Sequence, residues 1–126
     1  TVAVVGLSDN PDHESHRVAR YLQQAGYTII PVNPNVQQVL GERAYPDLQS
    51  VPVPIDVVDV FRRSAAVPGI IEQAMALGIP VVWLQRGVTC PVDSRLRARK
   101  AGITLVEDSC LMVAHRRWTS SARGPG

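Results

Sequence analysis

The chain has 126 residues, enough for one domain with a single core. Apolar residues make up 45% and charged residues 19%, the balance of an ordinary globular protein rather than a disordered one. A net charge of +2 is too mild for a general nucleic-acid binder, aromatic residues (5%) are too few for a base-stacking surface, and no stretch approaches the ~18–20 apolar residues of a membrane span.

The opening stretch reads as strand, turn, helix, strand. Val2–Val5 is an apolar run, Gly6-Leu7-Ser8 a small-residue turn, and Val18, Leu22 and Ala25 fall on one helical face. Gly26 stops that helix, and Tyr27–Val32 forms the second strand, ending in Asn33-Pro34. A βαβ unit of this kind is a phosphate-binding layout: amides at the helix start face the ligand, and Gly6 has no Cβ to keep a phosphate away. Ser15 fits a helix N-cap, a role compatible with phosphate contact, while His13 has no nearby partner motif and reads as loop.

The segment from Asn35 to Pro54 is rich in proline and is expected to hold helical turns near Val36–Leu40 and Pro46–Val51. Ile55–Val60 is the third strand, leaving through Phe61-Arg62-Arg63. A helix carries Ile70, Ile71, Ala74 and Leu77 on one face, and the strand Ile79–Leu84 leads into Gln85-Arg86-Gly87. The next helix starts near Pro91 and aligns only Val92, Leu96 and Ala101, before the strand Ile103–Val106. A short last helix from Leu111 is expected to be capped by Asp108 or Ser109. From Thr119 onward Ser, Arg, Gly and Pro read as a disordered tail, so the domain is placed at 1–118 and the tail at 119–126.

A weak repeat joins these elements. Ala25-Gly26-Tyr27, Leu77-Gly78-Ile79 and Ala101-Gly102-Ile103 each place a glycine between a helix and a β-rich run. The strands are continuous apolar runs, as in parallel sheets covered on both sides. The expected fold is therefore α/β, a Rossmann-like open parallel five-stranded sheet with helices on both faces. Ligands of such sheets lie outside the carboxyl ends of the strands, which gathers Gly6–Ser8, Val32–Pro34, Phe61–Arg63 and Gln85–Val88 around one cleft.

The residues narrow the ligand. The turn has one glycine where a dinucleotide fingerprint needs GxGxxG, and no acid follows the second strand to hold ribose hydroxyls. No GxxxxGK[ST] motif occurs. All basic residues but Lys100 are arginine, which suits bidentate contact with a small phosphorylated molecule. Asp56 and Asp59 point to opposite faces of a strand, and Cys110 with His115 has no acid to orient the imidazole, so no catalytic residue is assigned. Cys90 and Cys110 form no CxxC pair or zinc pattern; no metal site is expected, and the thiols fit a reducing, cytoplasmic setting.

Several stretches together carry a resemblance: Val4-Val5-Gly6-Leu7-Ser8, Ser15-His16-Arg17-Val18-Ala19, Ile30-Pro31-Val32-Asn33-Pro34, Gly41-Glu42 with Ala44-Tyr45-Pro46, Asp56 to Arg63, and Val82-Trp83-Leu84-Gln85 with Gly87. From residue 2 to about 115 the chain resembles the small stand-alone CoA-binding proteins, whose Rossmann-like domain is also that of the succinyl-CoA synthetase α subunit and of NDP-forming acyl-CoA synthetases. The resemblance implies that Gly6, Leu7 and Ser8 wrap the pyrophosphate, helped by Ser15 and Arg17. It implies that Asn33 and Pro34 border the adenosine, that Phe61 and Arg62 close over adenine and the 3′-phosphate, and that Gln85, Arg86 and Gly87 edge the pantetheine path. The chain departs from the family at Asp108-Ser109-Cys110, which lacks the expected basic neighbour, and at Ala114-His115, which lacks an acidic-His pair. The expected function is non-catalytic binding of coenzyme A or an acyl-CoA, with this small molecule as partner and no nucleic acid or membrane. The alternative is a small NAD(P)-linked enzyme or a detached CoA-ligase-like fragment.

Overall fold

A computed structural model describes residues 1–122. The chain runs β1 (Val2–Val5), α1 (Glu14–Gln24), β2 (Ile29–Val32), β3 (Gln38–Val39), β4 (Glu42–Arg43) and β5 (Val57–Val60). A 3₁₀ turn at Ser64–Ala66 leads into α2 (Val67–Leu77), followed by β6 (Val81–Leu84), α3 (Val92–Lys100), β7 (Thr104–Val106) and α4 (Leu111–Ala122). The main sheet has five parallel strands, as the apolar runs predict, and their order is β2-β1-β5-β6-β7.

Alternation along the strands divides the core in two. Val2 and Val4 pack with Val18, Ala19 and Leu22 of α1, and Leu111 and Met112 of α4 join them. Ala3, Val5, Val58 and Val60 pack on the other face against Val67, Ile70, Ile71 and Ala74 of α2 and Ala98 of α3. Burying each such valine or isoleucine contributes about 1.5–3 kcal/mol relative to exposure. Helices therefore cover both faces, and the strand order reverses between β1 and β5.

The glycine repeat has one hydrogen-bond basis. After α1, Gly26 N donates to Gln23 O and Tyr27 N to Leu22 O; after α2, Gly78 N donates to Met75 O and Ile79 N to Ala74 O. After α3 the pair is Gly102 N to Arg99 O and Ile103 N to Ala98 O. Each closure satisfies the last helical carbonyls and turns the chain back to the sheet through a left-handed glycine.

Three expectations are corrected. Val36–Leu40 is not a helical turn: Gln38 pairs with Arg43 and Val39 with Glu42 in an antiparallel hairpin, closed by Leu40 (φ 55°) and Gly41 (φ 78°). Pro46–Val51 likewise forms no helix, and only an isolated turn from Val51 N to Leu48 O is present. The expected tail at 119–126 begins as helix, because α4 continues to Ala122 and Thr119 Oγ1 donates back to His115 O and Arg116 O, both at 3.0 Å. Residues 123–126 lie outside the described residues.

The expected helix faces hold only in part. Leu77, Val92 and Leu96 are exposed, and α3 buries only Ala98. Asp108 does not turn to α4; its Oδ1 accepts the Gly87 N–H at 2.6 Å and braces the loop after β6.

Candidate functional site

The ends of β1 and β5 meet at the point where the strand order reverses. Gly6 N donates to Val32 O at 2.9 Å and Phe61 N to Val5 O at 2.9 Å, so three chain segments are tied within one crevice. Gly6 has φ +86°, and a Cβ there would stand 2.9 Å from Phe61 O and 3.2 Å from Arg62 Cδ. The glycine is thus required by the crossing backbone itself, a reason absent from the sequence pattern.

The loop from Gly6 to α1 is ordered by its own polar groups. Leu7 is fully buried, and its carbonyl accepts Asn33 Nδ2 at 3.0 Å. Ser8 N donates to Ser15 Oγ at 3.0 Å. Ser8 Oγ accepts Asn10 N at 3.0 Å and lies 2.6 Å from His13 Nδ1. Ser15 is not the N-cap. That position is His13, and no side chain caps the helix. Ser15 instead sits buried in the first turn, holding the loop to the helix. Arg17 is exposed and donates to Asp12 O at 3.1 Å.

The opposite wall is shallow and proline-edged. An open groove of about 670 Å³ lies between Asn33-Pro34 and the β3–β4 hairpin, where Arg43 stands over the Tyr45 ring at 5.4 Å. A cleft of about 190 Å³ adjoins it, flanked by Val5, Arg62, Gly69 and Gln73, with Pro34 and Pro46 bordering both. Phe61 is half-buried and packs with the α1-side core, while Arg62 stays exposed. Gly6, Leu7, Ser8, Ser15, Asn33, Pro34, Phe61 and Arg62 are therefore gathered round this crevice.

The residues after β6 are divided. Gln85 is buried, and its Nε2 donates to Asp59 Oδ1 at 2.5 Å in the interior. Arg86 lines a separate groove of about 430 Å³ with Asp108, Cys110 and Arg117. Gly87 (φ 81°) only turns that loop. Asp59 is the one strongly perturbed acid here: burial, offset in part by the Gln85 bond and reinforced by Glu14, pushes its carboxyl up to about 7. Among the described residues its Oδ2 and Gln85 Oε1 have no hydrogen-bond partner.

Sequence reasoning missed His13, Arg43 and the Asp59–Gln85 pair. His13 and Arg43 carry no spacing signal, since their positions depend on a loop and on a hairpin whose Leu-Gly turn does not look like one. Among the described residues no group of His, Cys, Asp and Glu is placed to hold a metal ion. No described helix is long and apolar enough to cross a membrane.

A family model described as CoA binding domain matches residues 1–116. The uncharacterized protein YneT of Bacillus subtilis (strain 168) is 45% identical over 114 residues, covering 90% of this chain and 84% of that protein. The structure of cell-free ID.343 from Thermus thermophilus superposes with a TM-score of 0.87 at 39% identity, over 92% of this chain and 87% of that one. Acetate–CoA ligase [ADP-forming] II of Archaeoglobus fulgidus is 28% identical over 81 residues, which are 63% of this chain and 12% of the ligase.

Proposed function

Because the chain belongs to the CoA binding domain family, we propose that it binds coenzyme A or an acyl-CoA as a non-catalytic module, at the crevice between β1 and β5. The observation that carries the reading is the family match over residues 1–116. Its physical support is local. A helix start with free amides and no side-chain cap suits a pyrophosphate, since partial positive charge gathers there. Pro34 and the adjoining grooves offer a flat, partly apolar border for adenosine. Arg62 is exposed beside Gly6, and a guanidinium fork there can meet a 3′-phosphate bidentately. Arg17 reinforces the loop through Asp12 O, and Arg86 and Gly87 edge the far end, toward the pantetheine.

Two side chains have narrower roles than the resemblance implies. Asn33 is already spent on Leu7 O and Asn35 N, and Gln85 on Asp59, so both shape the site from behind. The NAD(P) alternative gains nothing here, because β2 ends in Val32-Asn33-Pro34 with no acid for a ribose.

Titration calorimetry with CoA, dephospho-CoA and NAD tests the reading. CoA is expected to bind more tightly than NAD. Arg62→Ala is expected to weaken CoA by about 1.5–3 kcal/mol, the range of a charged hydrogen bond, and to weaken dephospho-CoA much less. Binding of NAD with none of CoA overturns the function, whereas equal losses for the two CoA ligands remove only the role of Arg62.

A further inference from the structure

Ser8 and His13 form the closest polar contact of the β1–α1 loop, 2.6 Å between Oγ and Nδ1. An N-cap residue usually turns its side chain onto the first helical amides, and His13 does not. It turns back across the loop to Ser8 instead, leaving those amides without a side-chain partner.

The contact of the other ring nitrogen points to the direction of the Ser8 bond. His13 Nε2 faces Asn10 Nδ2 at 3.5 Å, and an amide nitrogen can only donate. Nε2 therefore accepts, and Nδ1 carries the hydrogen and gives it to Ser8 Oγ. A serine hydroxyl has two lone pairs and one hydrogen. Asn10 N fills one lone pair and His13 Nδ1 the other. Ser8 Oγ is left as a donor only, and its hydrogen has no acceptor among the described residues.

We infer that His13 is a positioning residue for the phosphate loop: by filling the second lone pair of Ser8 Oγ, it fixes that hydroxyl as a dedicated donor to a phosphate oxygen of the ligand. The inference rests on the proposed CoA binding and adds the device that aims Ser8. Asn10 takes part from both sides, donating its backbone N–H to Ser8 and its side-chain amide to His13. The loop needs such a donor because its own charge is unfavourable to an anion. Asp9, Asp12 and Glu14 stand against the single Arg17 between residues 8 and 17. A hydroxyl and backbone amides bind phosphate without adding charge.

The test is titration calorimetry with CoA on the wild-type chain, Ser8→Ala, His13→Ala, the double variant and His13→Asn, each checked for fold by circular dichroism. Ser8→Ala and His13→Ala are each expected to weaken CoA by about tenfold or more, the loss for a hydrogen bond to a charged group. The double variant is expected to bind no worse than either single one, because His13 acts through Ser8. His13→Asn, whose side-chain amide can donate from a similar position, is expected to recover most of the affinity. Independent, multiplying losses in the double variant overturn the inference, as does wild-type affinity in folded His13→Ala. A wild-type chain that fails to bind CoA overturns the proposed function and this inference together, and so is distinguishable from a failure of His13 alone.

Discussion

Gly6 shows how one residue serves two demands. The sequence suggests that its missing Cβ makes room for phosphate. In the structure the same missing atom first makes room for Phe61 O, because β1 and β5 run side by side and the chain leaving β5 passes close to Gly6. A methyl group at 2.9 Å from a backbone carbonyl forces a shift, and φ +86° already disfavours any side chain. Gly6→Ala is therefore expected to lower stability by about 1–3 kcal/mol even without ligand. Thermal unfolding of the ligand-free variant checks this, and an unchanged midpoint would refute it. Ser8, by contrast, is not demanded by the backbone: it is half-buried, and its hydroxyl contacts Asn10 N and His13 Nδ1 within the loop. The candidate positions of the first loop were legible because a small-residue turn before a helix has a recognisable composition. The work each side chain does was not, because Ser15 holding Ser8 N and His13 holding Ser8 Oγ are contacts across a loop with no period.

At the scale of elements, the five strands of the main sheet follow from apolar runs and glycine closures, which are local signals, whereas their order is a long-range property that these signals do not carry. The hairpin was hidden because Leu40 takes a left-handed conformation that composition assigns to Asn or Gly. The α3 helix is a different case. Its periodic residues Val92 and Leu96 are 60% and 59% exposed, so burial holds it only weakly. Its attachment is polar instead. Arg95 Nε donates to Glu107 Oε2 at 2.7 Å, Arg95 Nη2 donates to Cys90 O at 3.0 Å, and Glu107 Oε1 accepts Cys90 N at 2.7 Å. The Arg95 bond holds the Glu107 carboxyl below its ordinary value, and the Cys90 amide adds to this. Glu107→Gln is expected to cost about 1–2 kcal/mol, because it leaves Arg95 without its charge partner. Hydrogen exchange should show the loss concentrated in α3, with α1 little changed. Protection that falls equally in both helices would mean that the clamp does not hold α3 in particular.

Across the whole molecule, two carboxyls set opposite pH slopes. Glu107 has a lowered pKa in the folded chain, so its stabilisation is present above the unfolded value and is lost as pH falls through the folded one. Asp59 behaves the other way. It lies at the centre of the sheet, paired in register with Val4 on one side and Trp83 on the other, with no exposed surface. Burial raises its carboxyl from the ordinary 3.8 to about 7, so between those values the folded chain keeps a proton that the unfolded chain releases. The folded state binds more protons there, and stability must fall as pH rises, by at most about 1.4 kcal/mol per pH unit. Below about 3.8 the contribution is complete; above about 7 the buried site holds a charge and the contribution is gone. Glu14, at the start of α1, adds to the upward shift, which links the interior to the end of the molecule where the phosphate is proposed to bind. Asp59→Asn keeps the shape and removes the titration. It is expected to match the wild type near pH 3.5, to exceed it near pH 8, and to flatten the slope between them. Chemical denaturation at both pH values measures this directly. The same slope in variant and wild type would show that Asp59 is not the buried group whose charging weakens the fold.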